Sequence, residues 1–260
     1  MTISWAAKRK FLYFLAVFLL IFLPVTAFTL VKTYRPPSCF DHKQNQGEEG
    51  PDCGGPCELL CAKGNGDLVV DWDRTFQVSD GVYNAVAYVE NKNDQAGIEQ
   101  VHYTFKIYDQ NNILITTRSG TTFVNPGERF VIFEPRIDTK YQIPARTFLE
   151  FESSPTWERA PQAAPKIEVV SRTLTDADTA PRLTVTLHNP ALTDISNIQV
   201  VAVVYDINGN AIGSSSTYID NFPRTSDAQA YFTWPQPFSG QASRIEIIPR
   251  VNVFEIQNLD

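Results

Sequence analysis

The chain is short of the residues from which active sites and nucleic-acid surfaces are built. Among its 260 residues only His42, His102 and His188 are histidines, and it contains neither an HExxH zinc motif nor a G-x-S-x-G nucleophile elbow. Acidic residues outnumber basic ones by 29 to 22, and the resulting net charge of -7 disfavours binding to phosphate backbones. We therefore expect a protein that is not an enzyme and has no nucleic-acid partner.

Acidic residues are absent from the first 35 positions, where five basic residues surround one apolar run. Residues 11–31 carry no charge, and at about 1.5 Å per residue they reach about 30 Å, enough to cross a bilayer core. Because three basic residues precede the run, the positive-inside rule predicts a cytoplasmic basic end at residues 1–10 and a signal anchor at 11–31. The remaining chain would lie outside the cell membrane, with 17 basic and 29 acidic residues.

A cleaved secretory signal is the alternative interpretation of this apolar run. Val25, Thr26 and Ala27 supply the small residues that a signal peptidase accepts. The run continues beyond them to Val31, which favours an uncleaved anchor. Both interpretations export the rest of the chain.

Cysteine is confined to one short stretch, and the chain after it has none. The four residues are Cys39, Cys53, Cys57 and Cys61. An even, clustered set in an exported chain predicts two disulfides, with the pairing left open, in a disulfide-rich segment at residues 36–63. A zinc or iron–sulfur site is the weaker alternative, because the C-x13-C-x3-C-x3-C spacing lacks paired C-x2-C knuckles.

Oxygen ligands lie between the first two cysteines and make calcium a better metal hypothesis than zinc or iron–sulfur. The candidates are Asp41, Asn45, Glu48 and Asp52. The simpler interpretation is that they are solvated side chains in a glycine-rich loop, so no cofactor is predicted beyond this weak calcium hypothesis. The pattern resembles the short C-x-D-G-x-x-N-x-x-E-x-x-x-D-C-G-G-x-C segments of many secreted and cell-surface proteins, although His42 replaces the usual glycine. That resemblance implies an extracytoplasmic stalk element.

Helical periodicity is absent beyond residue 66, where short β-branched and aromatic runs alternate with turn residues. Val101, Tyr103, Phe105 and Ile107 alternate with polar residues, which is the period of a half-buried strand. Strands are predicted near residues 67–78, 82–91, 99–109, 113–123, 128–135 and 146–152, and again near 166–175, 181–189, 197–206, 210–219, 227–234 and 242–250.

The two series of strands are an internal repeat. Residues 101–109 align with 198–206, and Asn91 aligns with Asn189. We therefore predict an all-β fold, in which two tandem immunoglobulin-like antiparallel β-sandwiches follow an N-terminal transmembrane helix and a short disulfide-rich segment. The sandwiches are expected at residues 67–152 and 166–260.

The first repeat carries the residues Phe105-Lys106-Ile107-Tyr108-Asp109, preceded by Asn91 and followed by Asn125-Pro126-Gly127-Glu128. This pattern resembles the FxLYD family of bacterial envelope domains, with isoleucine in place of leucine. The second repeat keeps only Tyr205 and Asp206 of the motif. The resemblance implies small immunoglobulin-like sandwiches in a bacterial cell envelope, and it implies no common activity.

A proline-rich linker, residues 153–165, joins the two sandwiches. Pro155, Pro161 and Pro165 predict a stiff, extended segment and a rod with limited bending. In the alternative, Trp157 docks the linker onto one sandwich.

Val201 and Val203 replace the polar residues that the first repeat has at matching positions, so the second strand is apolar on both faces. Either another strand of the same sandwich covers them, or they form a face that meets a partner or the first sandwich.

These features together favour a membrane-anchored, extracytoplasmic structural or interaction protein. It would present two β-sandwich domains to an envelope protein, without catalysis. The alternative function is an accessory subunit of an exported enzyme or of a membrane transport complex, held by a membrane partner through residues 11–31.

Overall fold

The structure is a computed structural model that describes residues 5–33, 37–61, 66–152 and 155–256. The predicted segment limits at residues 1, 36, 63, 153 and 260 lie outside these described residues. The chain divides into two compact units, which meet between Cys57 and Glu58 in the sequence.

Helix α1 (Trp5–Thr33) contains the predicted anchor and extends beyond it at both ends. From Lys8 to Lys32 it is long and apolar enough to cross a membrane, by its length and composition. Its described large apolar side chains are exposed from Trp5 to Val31 and are not buried against other parts of the protein. Pro24 removes one backbone N–H from the helix, and the Thr26 hydroxyl donates a hydrogen bond of 2.8 Å to the Phe22 carbonyl nearby.

Within the described part of the chain thirteen strands follow, all of them paired in antiparallel fashion. They are β1 (Val69–Ser79), β2 (Val82–Glu90), β3 (Ala96–Tyr108), β4 (Leu114–Val124), β5 (Arg129–Asp138), β6 (Arg146–Phe151), β7 (Glu158–Arg159), β8 (Glu168–Thr175), β9 (Arg182–Asn189), β10 (Ile195–Tyr205), β11 (Ala211–Phe222), β12 (Ser226–Thr233) and β13 (Arg244–Arg250). The predicted all-β fold is confirmed. Each predicted strand has a counterpart with similar bounds, and only the short β7 was not predicted.

The strands form two sandwiches of two sheets each. Sandwich 1 pairs a β1-β2-β5 sheet with a β4-β3-β6 sheet, and sandwich 2 pairs a β11-β10-β13 sheet with a β12-β9-β8 sheet. Phe105 and Ile107 of β3 and Ala87 of β2 are fully buried in one core, because alternate residues of both sheets face inward. Val185 of β9 and Val204 of β10 align with Ala87 and Ile107 and are buried in the core of sandwich 2.

The repeat seen in the sequence is also a repeat of side-chain roles. After β3 the Asp109 carboxylate accepts hydrogen bonds of 2.8 Å from the N–H groups two and four residues later, and Asp206 does the same after β10. The buried amides of Asn91 and Asn189 each donate to backbone carbonyls of two other loop or strand segments. In both sandwiches, therefore, the same aspartate closes a hairpin and the same asparagine ties a strand end to its neighbours.

The linker is docked on sandwich 1 through Trp157, as the alternative interpretation predicted. Trp157 is only 5% exposed and belongs to the core of that sandwich. The next residues form β7, which pairs with the start of β3. Residues 58–60, which lie between Cys57 and Cys61, pair with residues 157–159 of the linker. The Leu60 N–H donates to the Trp157 carbonyl at 2.8 Å.

Candidate functional site

The cysteine segment is closed by disulfides. One disulfide joins Cys39 to Cys57. The other two cysteines, Cys53 and Cys61, are also disulfide-bonded, and no described cysteine is free. A thiolate zinc or iron–sulfur site would need these sulfurs reduced, so the described residues offer none. Gly55 has a positive φ of 56°, and a Cβ there would overlap the Gly47 carbonyl oxygen, which accounts for the second glycine of the D-C-G-G pattern.

The predicted calcium ligands act on their own loop. The Asp52 carboxylate accepts the His42 N–H at 2.9 Å and also contacts the His42 ring, while Asp41 accepts the Asn45 amide at 2.9 Å. The hydrogen bond from Asn45 lowers the pKa of Asp41. Glu48 is buried and accepts the Asn45 N–H at 3.0 Å. These bonds fix the loop between the cysteines.

The described oxygens do not converge on one point. The compact group of metal-ligand atoms in this part of the chain joins Glu48 to the sulfurs of Cys39 and Cys57, which are already bonded to each other. Asn45 Oδ1 is buried without a hydrogen-bond partner. Calcium binding by Asp41, Asn45, Glu48 and Asp52 therefore stays a prediction.

Val201 and Val203 lie on the outer face of the β11-β10-β13 sheet, and both are fully buried. They pack against the outer face of the β1-β2-β5 sheet of sandwich 1, and we call this buried contact the seam. Its residues are Val86, Tyr88, Val131, Val201, Val203, Tyr205, Ala211 and Ile248. The two valines thus meet the first sandwich, and their face is not open to another molecule in this structure.

The seam also explains why the two repeats differ. The aligned positions of sandwich 1, His102, Thr104 and Lys106, lie on the outer face of the matching β4-β3-β6 sheet, where Lys106 pairs with Glu150 at 2.6 Å. That face is solvated, whereas the matching face of sandwich 2 is covered. Fully burying a valine is worth about 1.5 to 3 kcal/mol, so the change from Thr104 and Lys106 to Val201 and Val203 has a clear physical cause.

Arg250, the last residue of β13, links the two sandwiches at one border of the seam. Its side chain is 1% exposed and pairs with Glu128 of sandwich 1, with Nε 2.8 Å from Oε1. It donates a second hydrogen bond of 2.7 Å to the Phe123 carbonyl and stacks at 4.1 Å on the Phe130 ring. The strand also carries Arg244 and Glu246, so nothing in the sequence distinguished Arg250, and sequence reasoning missed this contact.

An open cleft of about 350 Å³ lies along another border of the seam. Its walls are Asp71, Trp72, Tyr88 and Arg129 of sandwich 1 and Tyr205, Gly209, Arg244 and Glu246 of sandwich 2. We call it the seam cleft. Sequence reasoning missed these residues as well, because they are scattered over five strands and one turn with no common motif.

Arginines and tyrosines are stacked in the seam cleft. The Arg129 guanidinium lies 5.3 Å from the Tyr88 ring, and the Arg244 guanidinium lies 3.8 Å from the Tyr205 ring. Arg129 also pairs with Asp71 at 2.6 Å.

Glu246 connects the two sandwiches across the cleft. The Tyr88 hydroxyl donates to it at 2.8 Å, and Arg244 pairs with it at 3.1 Å. Burial, followed by the charge of Glu246, raises the pKa of Tyr205 to about 12, and burial with the hydrogen bond to Glu246 raises that of Tyr88 further. Both hydroxyls are therefore neutral in the physiological range and can donate hydrogen bonds.

Comparison with known proteins gives no family for the chain. No protein-family model matches it, and no curated protein matches it either. Among solved structures it is similar to a β-glucuronidase of glycoside hydrolase family 2 (9% identity, TM-score 0.23, 66% of this chain and 24% of that one). It is also similar to red sea bream transglutaminase (6% identity, TM-score 0.23, 70% and 29%). The chain thus spans about a quarter of the length of these structures, and the similarity is too low to support any argument about function.

Proposed function

We propose that this chain is a membrane-anchored, extracytoplasmic interaction protein that presents its two sandwiches as one rigid body to another envelope component, without catalysis. The length and apolar composition of α1 support the anchor, and the three basic residues before residue 11 support a cytoplasmic N-terminus. The disulfides of the cysteine segment support an oxidising compartment.

The observation that carries this proposal is the seam. Domains joined by a linker usually move relative to each other unless their interface is large and apolar. Here the apolar outer faces of two sheets cover one another, and the Arg250–Glu128 pair closes one border. Such a body holds its loops and sheet edges at fixed positions, which favours recognition of a partner.

We also propose that sandwich 1 is an FxLYD-like domain of a bacterial envelope. Phe105 and Ile107 of its motif are fully buried in the core, and Asp109 closes the hairpin that follows. These roles give each motif residue a physical reason to be present.

Membrane topology can be tested by labelling single cysteines in intact cells. We expect a membrane-impermeant maleimide to label Leu192→Cys, whose position is 79% exposed at a loop of sandwich 2, without breaking the cells. Lys10→Cys should react only after lysis. The parent chain is the control, since none of its described cysteines is free. Labelling of both variants only after lysis would overturn the extracytoplasmic location, and loss of the N-terminal segment from the mature chain would overturn the anchor.

The partner can be sought by photo-crosslinking the full chain in native membranes. We expect a discrete adduct that persists when residues 11–31 are replaced by an unrelated membrane span, because the sandwiches make the contact. An adduct that disappears with this replacement would contradict presentation by the sandwiches. It would instead support an accessory subunit held through its helix.

A further inference from the structure

The seam cleft carries two cations and two anions whose side chains remain accessible. The side chains of Arg129 and Arg244 are 57% and 58% exposed, and those of Asp71 and Glu246 are 27% and 29% exposed. We propose that this cleft binds a short segment of a neutral glycan. The inference rests on the function proposed above, since the glycan would be an envelope component that the two sandwiches meet.

The balance of charge selects the class of ligand. An anionic ligand at Arg129 or Arg244 would also face the carboxylates paired with them, and a cationic ligand at the carboxylates would face the guanidiniums. An apolar ligand would remove four charged groups from water without replacing their hydrogen bonds, which is costly. A neutral ligand rich in hydroxyl groups avoids all three penalties, because each hydroxyl can donate to a carboxylate and accept from a guanidinium.

The shape and lining of the cleft agree with this class. Its volume of about 350 Å³ is at the lower end of the range of about 300 to 1,000 Å³ for small-ligand sites. Trp72 is partly buried in the wall beside Tyr88, with ring centroids 5.9 Å apart. The tyrosine rings are covered by the guanidiniums of Arg129 and Arg244, so a sugar would bind through its hydroxyl groups to the charged side chains at the rim.

The guanidiniums are oriented for such hydrogen bonds before any ligand arrives. Each lies against a tyrosine ring and uses part of its five N–H donors on a carboxylate. Because their side chains are held in place, little conformational entropy is lost when a ligand binds. The cleft takes residues from both sandwiches, so a bound glycan would also stabilise the seam.

Isothermal titration of the full chain in nanodiscs tests the proposal. The probes are three neutral tetrasaccharides, namely tetra-N-acetylchitotetraose, cellotetraose and mannotetraose, with anionic tetragalacturonate, a cationic chitosan tetramer and the neutral peptide N-acetyl-tetraalanine amide for comparison. We expect saturable binding of at least one neutral tetrasaccharide. Arg244→Gln should weaken it about tenfold or more, because a charge-assisted hydrogen bond is lost. Arg224→Gln changes an exposed arginine of the same sandwich outside the cleft and should have no effect.

Several results would overturn the proposal. These are no saturable binding of any neutral tetrasaccharide, tighter binding of the charged oligosaccharides or of the peptide, or equal binding by Arg244→Gln. Thermal unfolding of each variant separates loss of a contact from loss of the fold. A photo-crosslinked protein partner that persists while no glycan binds would reject the glycan and leave the proposed function standing.

Discussion

Arg250 offers the sharpest test of how the two sandwiches are joined. Its polar partners, Glu128, Thr122 and the Phe123 carbonyl, all belong to sandwich 1, although Arg250 itself ends the last strand of sandwich 2. Replacing it with methionine, a flexible apolar residue, leaves the Glu128 carboxylate without its cation at a position where only 15% of that side chain is exposed. Removing one partner of a buried pair costs about 3 to 5 kcal/mol, so Arg250→Met should lower the free energy of unfolding by about that amount.

The double variant Arg250→Met, Glu128→Gln makes this prediction specific. With both charges removed, no charged group is left unpaired at the seam, so the double variant should be more stable than the sum of the two single changes predicts. Urea unfolding of the full chain, followed by tryptophan fluorescence, measures all three variants. Trp72 and Trp157 report on sandwich 1 and Trp234 on sandwich 2.

Arg224→Met is the matched control, since this arginine of the same sandwich is exposed. Its effect should stay within about 0.5 kcal/mol. A cost below about 1 kcal/mol for Arg250→Met, or single changes that add up without coupling, would show that the Arg250–Glu128 pair does not stabilise the seam.

Three further predictions concern the seam, the repeat and the tyrosines. The double change Val201→Lys, Val203→Lys should separate the two sandwiches at the seam and lower the free energy of unfolding by about 3 to 6 kcal/mol. X-ray scattering should then give a larger radius of gyration while the far-ultraviolet circular dichroism stays unchanged, whereas loss of the β signal would assign the valines to the core of sandwich 2. Asn91→Ala and Asn189→Ala should each lower the free energy of unfolding in urea by about 1 to 3 kcal/mol, because buried carbonyls lose their hydrogen-bond donor. The control Asn111→Ala changes an exposed residue and should have little effect, and similar losses at all three positions would reject the shared role of Asn91 and Asn189. Because the pKa of Tyr205 is raised to about 12, its contribution to stability is present below the unfolded pKa of about 10 and is lost as pH rises from about 10 to 12. Absorbance at 295 nm and unfolding curves would follow this change, and ionisation of Tyr205 near pH 10 would disprove the raised pKa.

The strands were predictable because their signal is local. Val101 to Ile107 alternate in burial as a half-buried strand requires, and the core of each sandwich follows from such alternation. The repeat was predictable for the same reason, since Asp109 and Asp206 close hairpins through neighbours only two and four residues away. Val201 and Val203 stood out because a comparison of repeats exposes a second apolar face.

The seam and its cleft were not predictable, because their partners are distant in sequence. Arg250 and Glu128 are 122 positions apart in the sequence, and Tyr88 and Glu246 are 158 positions apart. An apolar face in the sequence indicates that another surface packs on it, but which surface does so depends on the tertiary structure. The linker strand was missed because its prolines suggested an extended chain, whereas Trp157 gains more from burial in sandwich 1.

The pairing of residues 58–60 with the linker has a mechanical consequence. Tension applied at residues 58–60 reaches two backbone hydrogen bonds, from Leu60 to Trp157 and from Arg159 to Glu58, while disulfide-bonded Cys61 follows directly in the chain. Leu60 packs against the core of sandwich 1, and β7 is hydrogen-bonded to β3, so force passes to the middle of the polypeptide before it reaches β1. The segment that joins the two sandwiches therefore bears part of any load applied at residues 58–60.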